Sequence, residues 1–132
     1  MTHQSRRAVD AARRTVTVCD QLAEFVAEGR DAFMADVRTQ WAIEMGLIRI
    51  GESVNRIPSE ILGEFDGQPW RQIVAMRNFA AHQYDDLEPS RVWRTLEQDI
   101  PQLRTYLVTI MIPALESANT CRAPGASFRP WP

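Results

Sequence analysis

Apolar residues recur every three or four positions along almost the whole chain, and nowhere do they alternate with polar ones over the span that a strand needs. That period restricts the fold to packed helices. A first helix is expected at 5–28, where Val9, Ala12, Val16, Cys19, Ala23 and Val26 form a stripe and Gly29 stops it. A second is expected at 31–57, with Asp31 as its N-cap and Pro58 as its end. It carries two stripes, Phe33, Val37, Trp41, Met45 and Ile48 on one side and Ile43, Leu47, Ile50, Val54 and Ile57 on the other. An apolar surface that wide implies a central helix with neighbours on two sides. A connector at 59–67, punctuated by Gly63 and Gly67, leads to a third helix at 68–84 with Pro69 in its first turn. Asp85 and Asp86 offer cap chemistry for a fourth at 87–97. A fifth at 99–118 has Pro101 near its start and Ile100, Leu103, Leu107, Ile110 and Met111 as its stripe. The expected fold is therefore all-α, an antiparallel bundle of four or five helices over residues 1–119. Residues 120–132, rich in Pro, Gly and Arg and without periodicity, are expected to form a flexible tail.

Composition narrows the functional classes. A chain of 132 residues, 45% of them hydrophobic, can bury a core without metals or disulfides as staples. Cys19 and Cys121 lie far apart, neither with a Cys or His at metal-ligand spacing, so no metal site is expected and the usage fits a reducing cytosol. The first residues lack the apolar run of a signal peptide, and the longest apolar stretch, Leu107 to Leu115, is broken by Thr109 and Pro113. No membrane association is expected, and the location is read as cytoplasmic. The formal net charge of −2 argues against a protein that coats nucleic acid indiscriminately, but leaves room for a local basic cleft. All 15 basic residues are Arg, so every cation is a planar fork suited to phosphate or carboxylate. Arg6, Arg7, Arg13 and Arg14 line the polar face of the first helix around Asp10, as a solvated face with i,i+4 pairs to Arg6 and Arg14 or as a phosphate-binding stripe.

The chemistry concentrates on the third helix. On a wheel of about 100° per residue, Trp70, Ile73, Val74, Ala80, Ala81 and Tyr84 share a face and Arg77 falls in its middle. An arginine so placed needs something to offset its charge. A carboxylate such as Glu44 or Glu52 would make it structural; a bound phosphate or a partly wet subunit interface would make it functional. His82 follows five residues later, about 140° round an ideal helix, so the two converge only if the helix bends, Arg77 stretches or a second subunit completes the site. Imidazole suits proton transfer near neutrality, and guanidinium stabilises charge developing on a phosphoryl oxygen. Together they suit RNA cleavage by attack of the 2′-hydroxyl on the adjacent phosphate, a reaction that needs no metal.

Met76-Arg77-Asn78-Phe79-Ala80-Ala81-His82-Gln83-Tyr84 resembles the Arg-x4-His-x-Tyr signature of HepT-like HEPN proteins. Pro69-Trp70 before it, Leu87 to Trp93 after it and Ile50-Gly51-Glu52-Ser53-Val54 upstream resemble the family's flanks, with Ser53 in place of a usual Ala. The likeness covers about residues 32–107 and implies a HEPN bundle, a homodimer with a cleft shared between its motif helices, and no cofactor. It implies the toxin of a type II toxin–antitoxin pair, a metal-independent endoribonuclease acting on tRNA or mRNA, with Arg77 and His82 catalytic and Asn78 and Glu52 supporting. Its partner would be an MntA-like nucleotidyltransferase antitoxin that silences it by AMPylation of Tyr84. The alternatives are a non-catalytic HEPN module that binds a nucleotide or regulates such a nucleotidyltransferase, and a plain helical interaction protein with Arg77 in a structural ion pair.

Overall fold

The computed structural model describes residues 2–80 and 88–117, and within them all regular secondary structure is helical. Helix α1 (His3–Ala27) starts where the Thr2 hydroxyl accepts the Ser5 backbone N–H at 3.0 Å, satisfying one of the donors a helix start leaves open. It ends at Ala27 with Glu28 as C-cap, and Gly29 follows with a φ of 97°, a conformation that a side chain would strain. Alanines dominate its inner face, with Ala8, Ala11 and Ala12 buried, and α3 packs closely against it.

The long second helix expected from the sequence is two helices, α2 (Arg30–Ala35) and α3 (Val37–Asn55). Asp36 separates them in an extended conformation, φ −127° and ψ 110°. Its carboxylate accepts the Arg38 backbone N–H at 2.9 Å, and that bond holds the carboxyl below its usual range. The N-cap is thus Asp36, whereas Asp31 lies inside the first turn of α2. Of the two α3 stripes, Ile43, Leu47, Ile50, Val54 and Ile57 are buried. Among the described residues the other stripe finds no second neighbour: Phe33 is buried, but Val37, Trp41 and Met45 are exposed.

A short turn, α4 (Ser59–Leu62), leads to α5 (Trp70–Ala75), which tightens into a 3₁₀ continuation at Met76–Ala80. Beyond the undescribed stretch, α6 (Pro89–Arg94), α7 (Ile100–Tyr106) and α8 (Ile112–Glu116) form one continuous helix, joined through π-wound stretches at Thr95–Asp99 and Leu107–Met111. The expected break near residue 98 is absent. Each π stretch ends just before a proline, Pro101 or Pro113. Proline has no N–H for the carbonyl four residues back and crowds it, and a locally wider winding accommodates both.

The closing helix runs antiparallel to α1. Arg13 pairs with Glu116 and Asp20 with Arg104, so position rises along one helix as it falls along the other. The expected pairs of Asp10 with Arg6 and Arg14 are not made among the described residues. The core lies between α1, α3, α5 and the closing helix, with Leu22, Ile43, Leu47, Ile73, Leu103 and Leu107 almost fully buried. Phe33 of α2 meets Trp93 of α6 with ring centroids 5.5 Å apart. The expected cap at Asp85-Asp86, the domain limit at 119 and the tail 120–132 lie outside the described residues. No helix among the described residues is long and apolar enough to cross a membrane.

Candidate active site around Arg77

The helix that carries Arg77 is anchored at its start. The Trp70 indole N–H donates to the Phe65 carbonyl, and the Trp70 ring meets Tyr106 edge-on with centroids 5.8 Å apart. The Tyr106 hydroxyl accepts the Gly67 N–H at 3.4 Å, and burial raises the pKa of its phenol. Ile73 and Met76 then point into the core.

Arg77 does not sit in the apolar face. It is exposed, as is Asn78. The wheel assumed α-helical winding throughout, but that winding ends at Ala75. A 3₁₀ turn advances about 120° per residue instead of about 100°, so from Met76 onward each residue is carried further from the buried side marked by Ile73 and Met76. The buried charge that would have demanded a structural partner is therefore not buried in the single chain. Among the described residues no ion pair involves Arg77; Glu52 is exposed and Glu44 half-buried, and neither pairs with it. Burial raises the pKa of the Glu44 carboxyl. His82 and Tyr84 lie outside the described residues, so their approach to Arg77 rests on the sequence alone.

Sequence reasoning passed over the residue that touches Arg77. Gly51 of α3 lies so close to the motif helix that a Cβ built on it would stand 2.7 Å from the Arg77 backbone nitrogen, 3.0 Å from the Ile73 carbonyl oxygen and 3.1 Å from that of Val74. The two helices meet backbone to backbone. A signal was there to be used: glycine inside a helix costs about 1 kcal/mol relative to alanine, and a close approach is a standard reason to carry that cost.

Other features contribute less. A groove of about 360 Å³ is lined by Gln68, Gln102, Thr105, Tyr106, Thr109 and Ile110 among others. Its lining contains neither Arg77 nor any charged side chain, so it offers nothing for phosphate chemistry. Cys19 is a buried free thiol whose pKa is pushed up to about 12, first by burial and then by the Asp20 charge beside it, so it is no nucleophile at neutral pH. Among the described residues no cluster of His, Cys, Asp or Glu could hold a metal ion.

Comparison with known proteins places these features in a family. The family model described as "Ribonuclease HepT-like" matches residues 16–110. A protein of Thermococcus cleftensis named "Probable ribonuclease HepT" is 33% identical over 72 residues, which cover 54% of this chain and 66% of that protein. Two further relatives carry the name "Putative RNase". The one from Methanocaldococcus jannaschii is 28% identical over 74 residues, 56% of this chain and 61% of the relative. The one from Caldanaerobacter subterraneus subsp. tengcongensis is 29% identical over 79 residues, 60% of this chain and 70% of the relative. The matched stretches thus span 61% to 70% of these relatives' lengths. No solved structure matches the chain.

Proposed function

The chain belongs to the HepT-like ribonuclease family, and on that premise we propose that it is the toxin of a type II toxin–antitoxin pair, a metal-independent endoribonuclease that cuts tRNA or mRNA. One observation carries the reading: Arg77 is exposed, has no ion-pair partner among the described residues, and stands on a backbone packed against α3. A guanidinium with those properties is available to a phosphate.

The chemistry follows from the side chains. The 2′-hydroxyl of the RNA attacks the neighbouring phosphorus, the bond to the 5′-oxygen breaks, and a 2′,3′-cyclic phosphate and a 5′-hydroxyl result. His82 moves the proton, taking it from the 2′-hydroxyl or giving one to the leaving 5′-oxygen. Arg77 stabilises the charge that builds on the phosphoryl oxygens. Asn78, exposed beside it, and Glu52, the residue after Gly51, support the site.

The working unit is a homodimer. Val37, Trp41, Met45, Ile48 and Glu52 follow one another at steps of four, four, three and four along α3, so an exposed apolar stripe leads to the residue beside Gly51. A second copy on that stripe brings two Arg77 side chains towards a common cleft. The antitoxin is a nucleotidyltransferase that adds AMP to Tyr84; a bulky anionic group there occupies the place where RNA phosphate must sit.

The test is RNA cleavage by the purified chain in EDTA, with Tyr84 first shown by mass spectrometry to be unmodified. Wild type should cut, and Arg77→Ala and His82→Ala should not, with all three folded. An inert wild type removes the catalytic reading and leaves a binding module that regulates its nucleotidyltransferase.

A further inference from the structure

We propose that Gly51 is a positioning residue for Arg77, holding the guanidinium at its working place through a contact between backbones. The inference rests on the ribonuclease reading of Arg77 and adds to it a residue that touches neither RNA nor the reacting atoms.

Three close distances converge on one point: 2.7, 3.0 and 3.1 Å from a Cβ at position 51 to the Arg77 nitrogen and the Ile73 and Val74 carbonyl oxygens. All three are main-chain atoms of a single turn, and a main chain cannot rotate aside as a side-chain tip can. That turn is also where the motif helix changes winding, since α5 ends at Ala75 and the 3₁₀ stretch begins at Met76. Arg77 is the second residue of the tightened stretch and is exposed. Ile50 and Val54 on α3 and Ile73 on α5 are fully buried on either side, so neither helix can retreat without opening the core. Any side chain at 51 pushes the Ile73–Arg77 turn away from α3 and moves the guanidinium with it. Misplacing a catalytic group by about 1 Å can cost on the order of 10²-fold in rate.

The same helix supplies a matched control. A Cβ at Gly46 would also meet an atom at 2.7 Å, but that atom is Leu22 Cδ2, the end of a rotatable side chain remote in sequence from the motif. Both glycines are buried in α3. Gly46→Ala therefore reports crowding of the core, whereas Gly51→Ala reports crowding of the Arg77 seat.

Cleavage is measured on the full chain for wild type, Gly51→Ala, Gly46→Ala, Arg77→Ala and the double variant Gly51→Ala/Arg77→Ala, each rate being normalised to folded protein. Gly51→Ala should lose about 10²-fold, in kcat rather than in KM for RNA, and Gly46→Ala should stay within a few-fold of wild type. The double variant should be no slower than Arg77→Ala. Wild-type rates in Gly51→Ala, equal losses in the two glycine variants, or a further loss in the double variant would each overturn the proposal. A fully active Arg77→Ala would sink the ribonuclease reading itself, and the Gly51 proposal with it. One measurement needs no variant, and it decides the matter if Gly51→Ala does not fold. A 2′-O-methyl RNA oligonucleotide, whose blocked 2′-oxygen cannot attack, is titrated into wild type and followed by NMR. The Gly51 Hα to Arg77 amide contact should persist while the Arg77 Nε resonance moves; loss of that contact on binding would show that the seat does not position Arg77.

Discussion

Where α1 meets the closing helix, charged side chains complete the surface: Arg13 reaches Glu116 at 2.6 Å, and Asp20 pairs with Arg104. On the face of α2 and α3 the one ion pair among the described residues is local, Asp36 with Arg38, and none joins this face to another helix. Met34, Val37, Trp41 and Met45 stand 41%, 52%, 59% and 49% exposed. Ion pairs between half-exposed groups contribute little to stability, but they finish a surface that can remain in water. A run of large apolar side chains along one helix is finished only when something covers it. The face left open among the described residues runs along α3 to Glu52, next to Gly51, whose backbone packs against the turn that carries Arg77.

The largest expected effect tests that region's chemistry. Arg77→Ala should reduce cleavage by about 10²–10³-fold, as loss of one charge-stabilising donor does. It should move stability by no more than about 0.5 kcal/mol, because the side chain is exposed. Thermal unfolding beside the cleavage assay separates the two; a large stability loss would mean that Arg77 has a structural partner. Next comes the apolar stripe. Trp41→Glu combined with Met45→Glu should weaken self-association by at least about 30-fold while leaving the monomer folded, Trp being a typical interface anchor. Sedimentation that matches wild type would break the contrast between the faces.

The ion-paired face makes a smaller prediction, through the thiol that it shelters. An ordinary thiol titrates near 9.0 and Cys19 near about 12, so from pH 9 upward the unfolded chain loses this proton while the folded one keeps it. The stabilisation is complete below pH 9 and is lost as pH rises towards 12, at up to about 1.4 kcal/mol per pH unit. Denaturant titrations should show that slope flattened in Cys19→Ala, with Tyr106, whose pKa is also raised, contributing to what remains. An unchanged slope would mean that Cys19 is not sheltered. The smallest effect is at the surface pair itself: Glu116→Gln should cost less than about 1 kcal/mol in unfolding free energy, with Arg13 left solvated.

Much of this molecule is legible in its residues. The period of the apolar positions alone determines an all-α chain, and the burial of Ile43, Leu47, Ile50 and Val54 follows from it, because i,i+3 and i,i+4 neighbours share a face in any helix. The motif around Arg77 likewise points to the family without coordinates. The break at Asp36, the fusion of α6 to α8 across two prolines, and the outward turn of Arg77 were not readable. Each depends on whether a local preference is overridden by packing: an aspartate caps or stays helical, and a proline ends a helix or is absorbed by a π turn, according to what lies against it. The contact of Gly51 with Arg77 is the clearest case. It joins backbone atoms of two helices distant in sequence, and no periodicity along one strand of sequence encodes the distance between two helices; that distance is set only when both have buried their apolar faces in a common core.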